Sequence, residues 1–439
     1  MLRDINKAQA DDAYRLLQCL TVAARPLHVE ELAELLAFDF QASTRGGIPT
    51  LREDWRWDDQ EEAVLSTCSS LITIIGNSDS RVVQFSHFSV KEYLTSPRLA
   101  RSPCVDISRY HIDLEPAHTI MAQACLSTLL RLDEHDRKSD AKRSPLAKYA
   151  AQYWVEHAQF EKVSSRVRDG MEDLFDSSQP HFAAWLQVHN IDERWGLLGP
   201  SSAHHTGPPL YYAAFCGFYD LAEHLILKHP EQVNADGGGI VAPLPAALYN
   251  RHFLVANLLY RHGAVVDVQD EKKETPLLAA SVHGEIETMR WLLDHGADVN
   301  GQNDVGRTPL HYVALEMDFE VIHLLLDHGA DINSQTIIGE TPLYDLVRSY
   351  SPSSEGMVDM VRRFLELGAD TNIPKQDRST VLHLAASSGW PEVAQLLLSY
   401  GAKIDAKDKK GRTPLQVAAL KGHHAMTKLL LEHGAVPQS

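Results

Sequence analysis

Residues 85–94 read FSHFSVKEYL. Four side chains in this run could do chemistry: His87 is a base, Ser89 a hydroxyl, Lys91 an ammonium and Tyr93 a phenol. Catalysis asks more than closeness in sequence. A nucleophile needs a base within hydrogen-bond reach, the base needs a group to orient it, and donors must face the developing charge inside a cleft. His87 and Lys91 are four apart and so share a helix face, an ordinary arrangement for a surface. No GxSxG, HExxH or clustered metal ligands occur in the chain. No catalytic residue, metal ligand or cofactor is therefore expected. The run reads better as the junction of a strand, ending at Phe85, with a helix. Ser86 or His87 begins that helix, Ser86 being the better cap by residue type, and Phe88, Val90 and Leu94 are the expected buried stripe. His87 is expected to pack or hydrogen-bond at the junction.

The elements that would hold this junction lie upstream. AQADDAYRLLQCL has apolar residues at helical spacing (Ala13, Leu16, Leu17, Leu20), and LHVEELAELLAF repeats the pattern with Leu27, Val29, Leu32, Leu35 and Leu36. A third helix is predicted over residues 63–71. Then the period changes: LITII and RVVQF flank GNSDS, which reads as a hairpin. Three helices, a hairpin and a further helix make a winged-helix module over residues 1–104. Many such modules read DNA with the third helix. Here that helix carries Glu61 and Glu62 at its start and no Lys or Arg, and residues 1–100 hold 10 basic against 15 acidic residues. Groove reading needs Arg, Lys, Asn or Gln, so DNA binding is not expected.

The C-terminal half has a period of 33 residues. Pro209, Pro243, Pro276, Pro309, Pro342, Val381 and Pro414 mark one station, and a Gly-Ala pair at 263, 296, 329, 368, 401 and 434 marks another. Both marks share one longer gap, placed around SYSPSSEG. Each unit reads as a Thr-capped, Pro-started helix, a second helix such as EVIHLLLDHG, a glycine stop and a projecting turn. Pro245 stands where a first helix should be running, so a distorted start is expected there. His262, His295, His328 and His433 precede the glycines, where imidazole can approach the last carbonyls.

TPLHYVA at 308–314 and TVLHLAA at 380–386 closely resemble the ankyrin motif, and the resemblance covers about seven repeats over 207–439. It implies that His311 and His383 bond locally between units and that exposed turns and a concave face bind a partner protein. The turns VDVQDEKK, VNGQNDVG, INSQTIIG, TNIPKQDR and IDAKDKKG differ from unit to unit. Asp270, Lys272, Asp304, Ile338, Lys375, Asp377 and Lys409 are the expected partner contacts. Residues 105–206 read as a helical connector with helices near 116–131, 145–160, 167–176 and 180–189. It ends in GLLGPSSAHHTGPP, where His204 and His205 are expected to be solvated, and it is expected to cap the first repeat.

LQCLTVAARPLHVEELAELLAF, VLSTCSSLITI and VVQFSHFSVKEYLTSPRL resemble the C-terminal part of fungal NACHT–ankyrin proteins of the STAND class, related to animal NLR receptors. There the block forms a winged helix, which is also similar to one in GPI inositol-deacylase. Family members carry a NACHT ATPase with a GxxxxGK[ST] loop. Gly46-Gly47 and Gly237-Gly238-Gly239 are not followed by the required lysine, so no nucleotide site is expected, and the architecture reads as truncated: an adaptor, or a decoy for intact relatives.

The bulk composition agrees. The chain has 439 residues, 44% apolar and 23% charged, with a net charge of −18, which disfavours nucleic acid as a partner. No apolar run is long enough to span a membrane. Five scattered cysteines read as reduced thiols of an intracellular protein, cytoplasmic rather than nuclear. The expected fold is mostly α: winged helix with a small hairpin, connector, ankyrin solenoid. The expected function is a non-catalytic protein–protein interaction scaffold with no DNA, RNA, membrane or small-molecule partner. The alternative is a transcription-regulatory protein using the winged helix.

Overall fold

The computed structural model describes residues 2–437, apart from 3, 4, 6, 42–46, 69, 77–80, 133–143, 190–206, 238–241, 317 and 350–355. The expected linker histidines His204 and His205, the hairpin turn and the long turn near SYSPSSEG lie outside the described residues. The chain divides into two compact units, Met1–Ala264 and Val265–Ser439.

The first unit opens with the winged helix. Helix α1 (Ala10–Val22) buries Ala13, Leu16 and Leu17, one face of its apolar pattern. Strand β1 (Leu27–His28) leads into α2 (Val29–Leu36), which buries Val29, Leu32, Leu35 and Leu36. Strands β2 (Phe38–Asp39) and β3 (Thr50–Leu51) pair with each other. Helix α3 spans Gln60–Cys68, three residues earlier than its apolar run predicts, because Asp59 accepts from the Glu62 N–H and starts the helix there. Strands β4 (Ile72–Ile75) and β5 (Val82–Phe85) form the predicted antiparallel hairpin, with Ile72 opposite Phe85, and β1 adds to its edge with Leu27 opposite Val83. Helix α4 (Phe88–Leu94) follows, then the short helices α5 (Pro97–Ala100) and α6 (Val105–Ser108).

The connector packs on this module. Helices α7 (Leu114–Leu129) and α8 (Ala147–Ala158) are its core. Two polar devices fix it to the winged helix. Glu34 of α2, almost fully buried, accepts from the Leu146 N–H at 2.7 Å and from Arg56 at 2.7 Å. The Tyr149 hydroxyl accepts from the Ala24 N–H at 3.1 Å and bonds His157 Nε2 at 2.9 Å, while His157 Nδ1 lies 3.0 Å from His118 Nδ1. Burial takes His157 down to about 3, so it stays neutral within this chain of bonds.

Two further connector helices, Arg168–Leu174 and His181–Val188, close over the first helix pair of the repeats, Pro209–Cys216 and Tyr219–Lys228. Trp154, Phe175, Phe182 and Trp185 form an aromatic cluster with Tyr212 and Phe218 of that pair; the Trp154 and Phe218 rings stack at 5.4 Å. Gln159 Nε2 donates to the Cys216 carbonyl at 2.7 Å. The connector thus covers the outer face of the first repeat, as a terminal repeat requires.

The second pair of this unit is Pro243–Tyr249 with Phe253–Arg261. The distorted start expected at Pro245 does not occur. The helix begins at Pro243, and Pro245 sits in the first turn, where an N–H has no intrahelical acceptor to lose. The departure is at its end: Arg251 takes a left-handed φ of 60° at the position of Gly217.

The second unit holds five helix pairs among the described residues: Pro276–His283 with Ile286–Asp294, Pro309–Glu316 with Phe319–Asp327, Pro342–Ser349 with Met357–Glu366, Val381–Ser388 with Pro391–Ser399, and Pro414–Leu420 with His424–Glu432. In most pairs the first helix buries leucine and alanine and the second buries leucines; the pair Pro342–Ser349 with Met357–Glu366 instead buries Leu343, Tyr344 and Leu346 against Met360, Val361 and Phe364. No helix among the described residues is long and apolar enough to cross a membrane.

Candidate partner-binding surface

The opening run is placed first, since it looked most like chemistry. His87, not Ser86, caps α4: its Nδ1 accepts from the Ser89 N–H at 3.2 Å and lies 2.7 Å from Ser89 Oγ. Both residues are exposed, and the imidazole otherwise packs on the adjacent Phe88 ring, with centroids 4.4 Å apart. This is a helix cap and not a nucleophile–base pair. Phe88 does not start a buried stripe; it is 73% exposed, and only Leu94 of this helix is buried. A seven-residue helix with one buried residue puts its remaining side chains at the surface. Three cysteines are withdrawn from nucleophilic chemistry by burial. The Cys19 and Cys68 thiols are pushed up to about 12 and that of Cys125 is raised as well, which keeps them protonated and unreactive. Among the described residues no cluster of His, Cys, Asp or Glu could hold a metal.

The repeats of the second unit build a regular surface. His311 Nδ1 accepts from the Thr308 N–H at 3.1 Å, and its Nε2 donates to the Glu340 carbonyl of the next unit at 3.1 Å. His383 repeats this with Thr380 and Arg412 at 3.1 Å each. A carbonyl only accepts, so the proton is on Nε2. Burial lowers both imidazoles, His311 to about 4. The histidines before glycine bond the carbonyl four residues back, at 2.9 Å for His262, 2.6 Å for His295, 2.8 Å for His328 and 2.9 Å for His433.

From the start of each unit projects a finger. Within each, the backbone closes on itself, as in Asn303 N–H to Arg307 O at 3.1 Å and Lys375 N–H to Ser379 O at 2.9 Å. Successive fingers are joined by backbone bonds: Asp304 N–H to Lys272 O at 2.8 Å, Ile337 N–H to Val305 O at 3.1 Å, Gln376 N–H to Ile338 O at 3.0 Å and Lys409 N–H to Asp377 O at 2.7 Å. Gly306 and Gly339 make this approach possible. Both have positive φ, and a Cβ on Gly339 would lie 2.8 Å from the Lys375 Cα. Below the fingers, side-chain amides tie units at both ends. Asn333 Nδ2 donates to Gly368 O at 3.3 Å, and its Oδ1 accepts from the Asp370 N–H at 2.8 Å. Asn300 and Asn372 do likewise.

This ladder brings the expected contact residues together in groups. Lys272 and Asp304 are neighbours across it, as are Asp377 and Lys409. Lys272, Asp304, Ile338, Asp377 and Lys409 are exposed. Two others spend their side chains inside the array. Asp270 accepts from the N–H groups of Lys272 and Glu274, closing its own finger. Asn303 and Asp408 do the same in theirs. Lys375 occupies the equivalent position but cannot accept. It reaches back to Glu340 at 3.2 Å and lies over the Tyr344 ring at 4.7 Å. Asp377 closes that finger instead, through the Ser379 N–H and hydroxyl.

Two groups of residues at this surface go beyond those picked out in the sequence. Ile338, an expected contact, is joined by Val305 and Ile337, which were not picked; the three stand exposed at 42%, 42% and 61% in that order on adjacent fingers. They interrupt tips that are otherwise charged (EKK at 271–273, QDR at 376–378, KK at 409–410), and that contrast was the available signal. Beside them lies an ionic cluster. Arg307 pairs with Asp345 at 3.1 Å, and Arg348 with Asp345 at 2.6 Å and Glu340 at 2.8 Å. Arg307 also lies over the Tyr312 ring at 5.5 Å. Nothing in the period marks these residues, because they occupy positions filled differently in each unit.

Comparison with known proteins agrees with this architecture. The model of the GPI inositol-deacylase winged helix domain matches residues 4–105, and that of ankyrin repeats, in three copies, matches residues 244–336 and 351–439. The chain therefore carries a winged helix of that type followed by ankyrin repeats. It is similar to azaphilone pigments biosynthesis cluster protein L of Monascus ruber, 32% identical over 282 residues, which cover 59% of this chain and 57% of that relative. The chain thus spans little more than half the length of the curated relative it matches.

Proposed function

We propose that this chain is a non-catalytic protein–protein interaction scaffold whose ankyrin fingers and concave face bind a partner protein. The observation that carries this is the exposed aliphatic group of Val305, Ile337 and Ile338 on two fingers locked together by backbone bonds. Exposed aliphatic side chains on a rigid frame, next to tyrosine and arginine, have the makeup of an interface centre. The winged helix and connector are packed as one body with the first repeat, which supports a role in anchoring or relaying the binding event. The resemblance to fungal NACHT–ankyrin proteins supports the same division of labour, and we expect the chain in the cytoplasm rather than the nucleus.

A transcription-regulatory role is the weaker reading. Glu61 on α3 pairs with Arg81 at the start of β5, so a cation beside the third helix is already neutralised by it. Retention of DNA by the full chain in a gel shift at physiological salt would reverse this preference.

The test is capture of partners from the native organism with the full chain and with an Ile337→Asp/Ile338→Asp variant. Proteins encoded near this one are the first to examine, given the relative named for a biosynthesis cluster. The proposal predicts a partner lost with the double variant while thermal unfolding is unchanged. Equal capture by both chains would refute the finger surface.

A further inference from the structure

We infer that the partner segment bound on this surface is acidic as well as aliphatic: an extended stretch in which a Val, Ile or Leu anchor is followed by Asp or Glu. This rests on the binding surface proposed above and names its occupant.

The ionic cluster beside the aliphatic tips is layered. Its two carboxylates are buried, Glu340 at 4% and Asp345 at 0% side-chain exposure, whereas its cations lie nearer the surface, Arg307 at 22%, Arg348 at 41% and Lys375 at 19%. A molecule approaching from solvent meets two guanidinium groups and an ammonium, not the acids beneath. Within the cluster itself, three cations lie over two buried carboxylates. Burial raises the Asp345 carboxyl, against the pull of Arg307 and Arg348. All this lies in a chain of net charge −18, so a local positive patch stands out against its surroundings.

Two exposed acids lie near the tips: Asp377, whose charge acts on Lys375, and Asp304, whose backbone adjoins that of Lys272 on the ladder. Tyr312 and Tyr344 lie under Arg307 and Lys375 and hold them by cation–π contact at 5.5 Å and 4.7 Å. A carboxylate gains most from cations already fixed in place, because less side-chain entropy is lost on binding. Guanidinium is suited to paired hydrogen bonds with carboxylate.

A library of random short peptides displayed on phage, selected against the full chain, tests this. The expected result is enrichment of peptides that combine Val, Ile or Leu with Asp or Glu. They should lose about tenfold in affinity when their acids are changed to Asn and Gln, and should weaken as salt is raised. Changing the peptide leaves the cluster intact, so the outcome does not depend on a variant folding. Arg348→Gln, checked by thermal unfolding, should reproduce the loss. Enrichment of basic or uncharged peptides, or no enrichment, overturns the inference. Peptides that bind Ile337→Asp/Ile338→Asp as well as the unaltered chain overturn the proposed surface itself. Uncharged peptides that are lost with that variant overturn only the acidic occupant.

Discussion

The carboxylate of Glu34, in the second helix of the winged helix, accepts from the backbone N–H of Leu146 at 2.7 Å across 112 residues of chain. Arg56 and Ser144 share the same carboxylate, and this set pins the start of α8 to the winged helix. Burial raises the Glu34 carboxyl, opposed by the bonds from Leu146, Arg56 and Ser144. Glu34→Ala leaves a buried N–H without an acceptor, which costs about 1–3 kcal/mol. Glu34→Gln retains an acceptor and should lose less. Urea unfolding of the two variants should separate them in that order.

Acid should weaken the repeats through their buried histidines. An unfolded imidazole titrates near 6.5, whereas folded His311 is held down to about 4 and His383 is also lowered. Between those values the unfolded chain binds protons that the folded chain does not. This stabilisation is complete above about pH 6.5 and is lost as pH falls towards about 4, at up to about 1.4 kcal/mol per pH unit for each histidine. His311→Gln should flatten its share, since Gln416 already serves as the acceptor for the Thr413 N–H at the same position of another unit. Urea midpoints measured across this range for both chains check it.

Two glycines of the same conformation should differ in tolerance. Gly339 and Gly411 have φ of 83° and 75°, but only a Cβ at Gly339 would strike the next finger; Gly411 faces open space. Gly411→Ala should cost about 1 kcal/mol from backbone strain alone. Gly339→Ala should cost more and shift the finger contacts, visible as faster amide exchange at Gln376, whose N–H bonds the Ile338 carbonyl.

The cap at His87 gives a smaller effect. His87→Ala should lower stability by about 1 kcal/mol, and His87→Asn should preserve most of it, because both native and Asn side chains accept from the first turn. Lys91→Ala should change stability by less than about 0.5 kcal/mol. Full stability of His87→Ala in thermal unfolding would dismiss the cap.

What was legible in the sequence followed from local rules. The 33-residue period, the Thr-Pro starts and the Gly stops fix each helix pair, because capping and helix termination act within a few residues. The roles of His311 and His383 follow from one repeated motif. The partnership of Glu34 with Leu146 was not legible: a glutamate in a helix ordinarily reads as solvated, and its acceptor role depends on a residue more than a hundred positions away. Phe88 was misplaced for a related reason. Its apolar character marks a buried face only if another element covers that face, and none of the described elements does. At the fingers, the positions were readable but the assignments were not. Lys375 stands where Asp270, Asn303 and Asp408 close their turns, and lacking a lone pair to offer, it is drawn into the cluster around Glu340.

The backbone ladder also sets a pitch for whatever lies along it. Each finger supplies two chain passes, and chain passes joined by backbone hydrogen bonds sit about 4.8 Å apart, so equivalent tips recur at roughly 9.5 Å by that spacing. A fully extended strand, with its alternating faces, presents like side chains about every 6.6 Å and drifts out of step with the tips. A polyproline II chain turns once in three residues and advances about 3.1 Å per residue, returning to the same face every roughly 9.3 Å. On the binding surface proposed above, a ligand with anchors spaced i, i+3, i+6 would match this pitch.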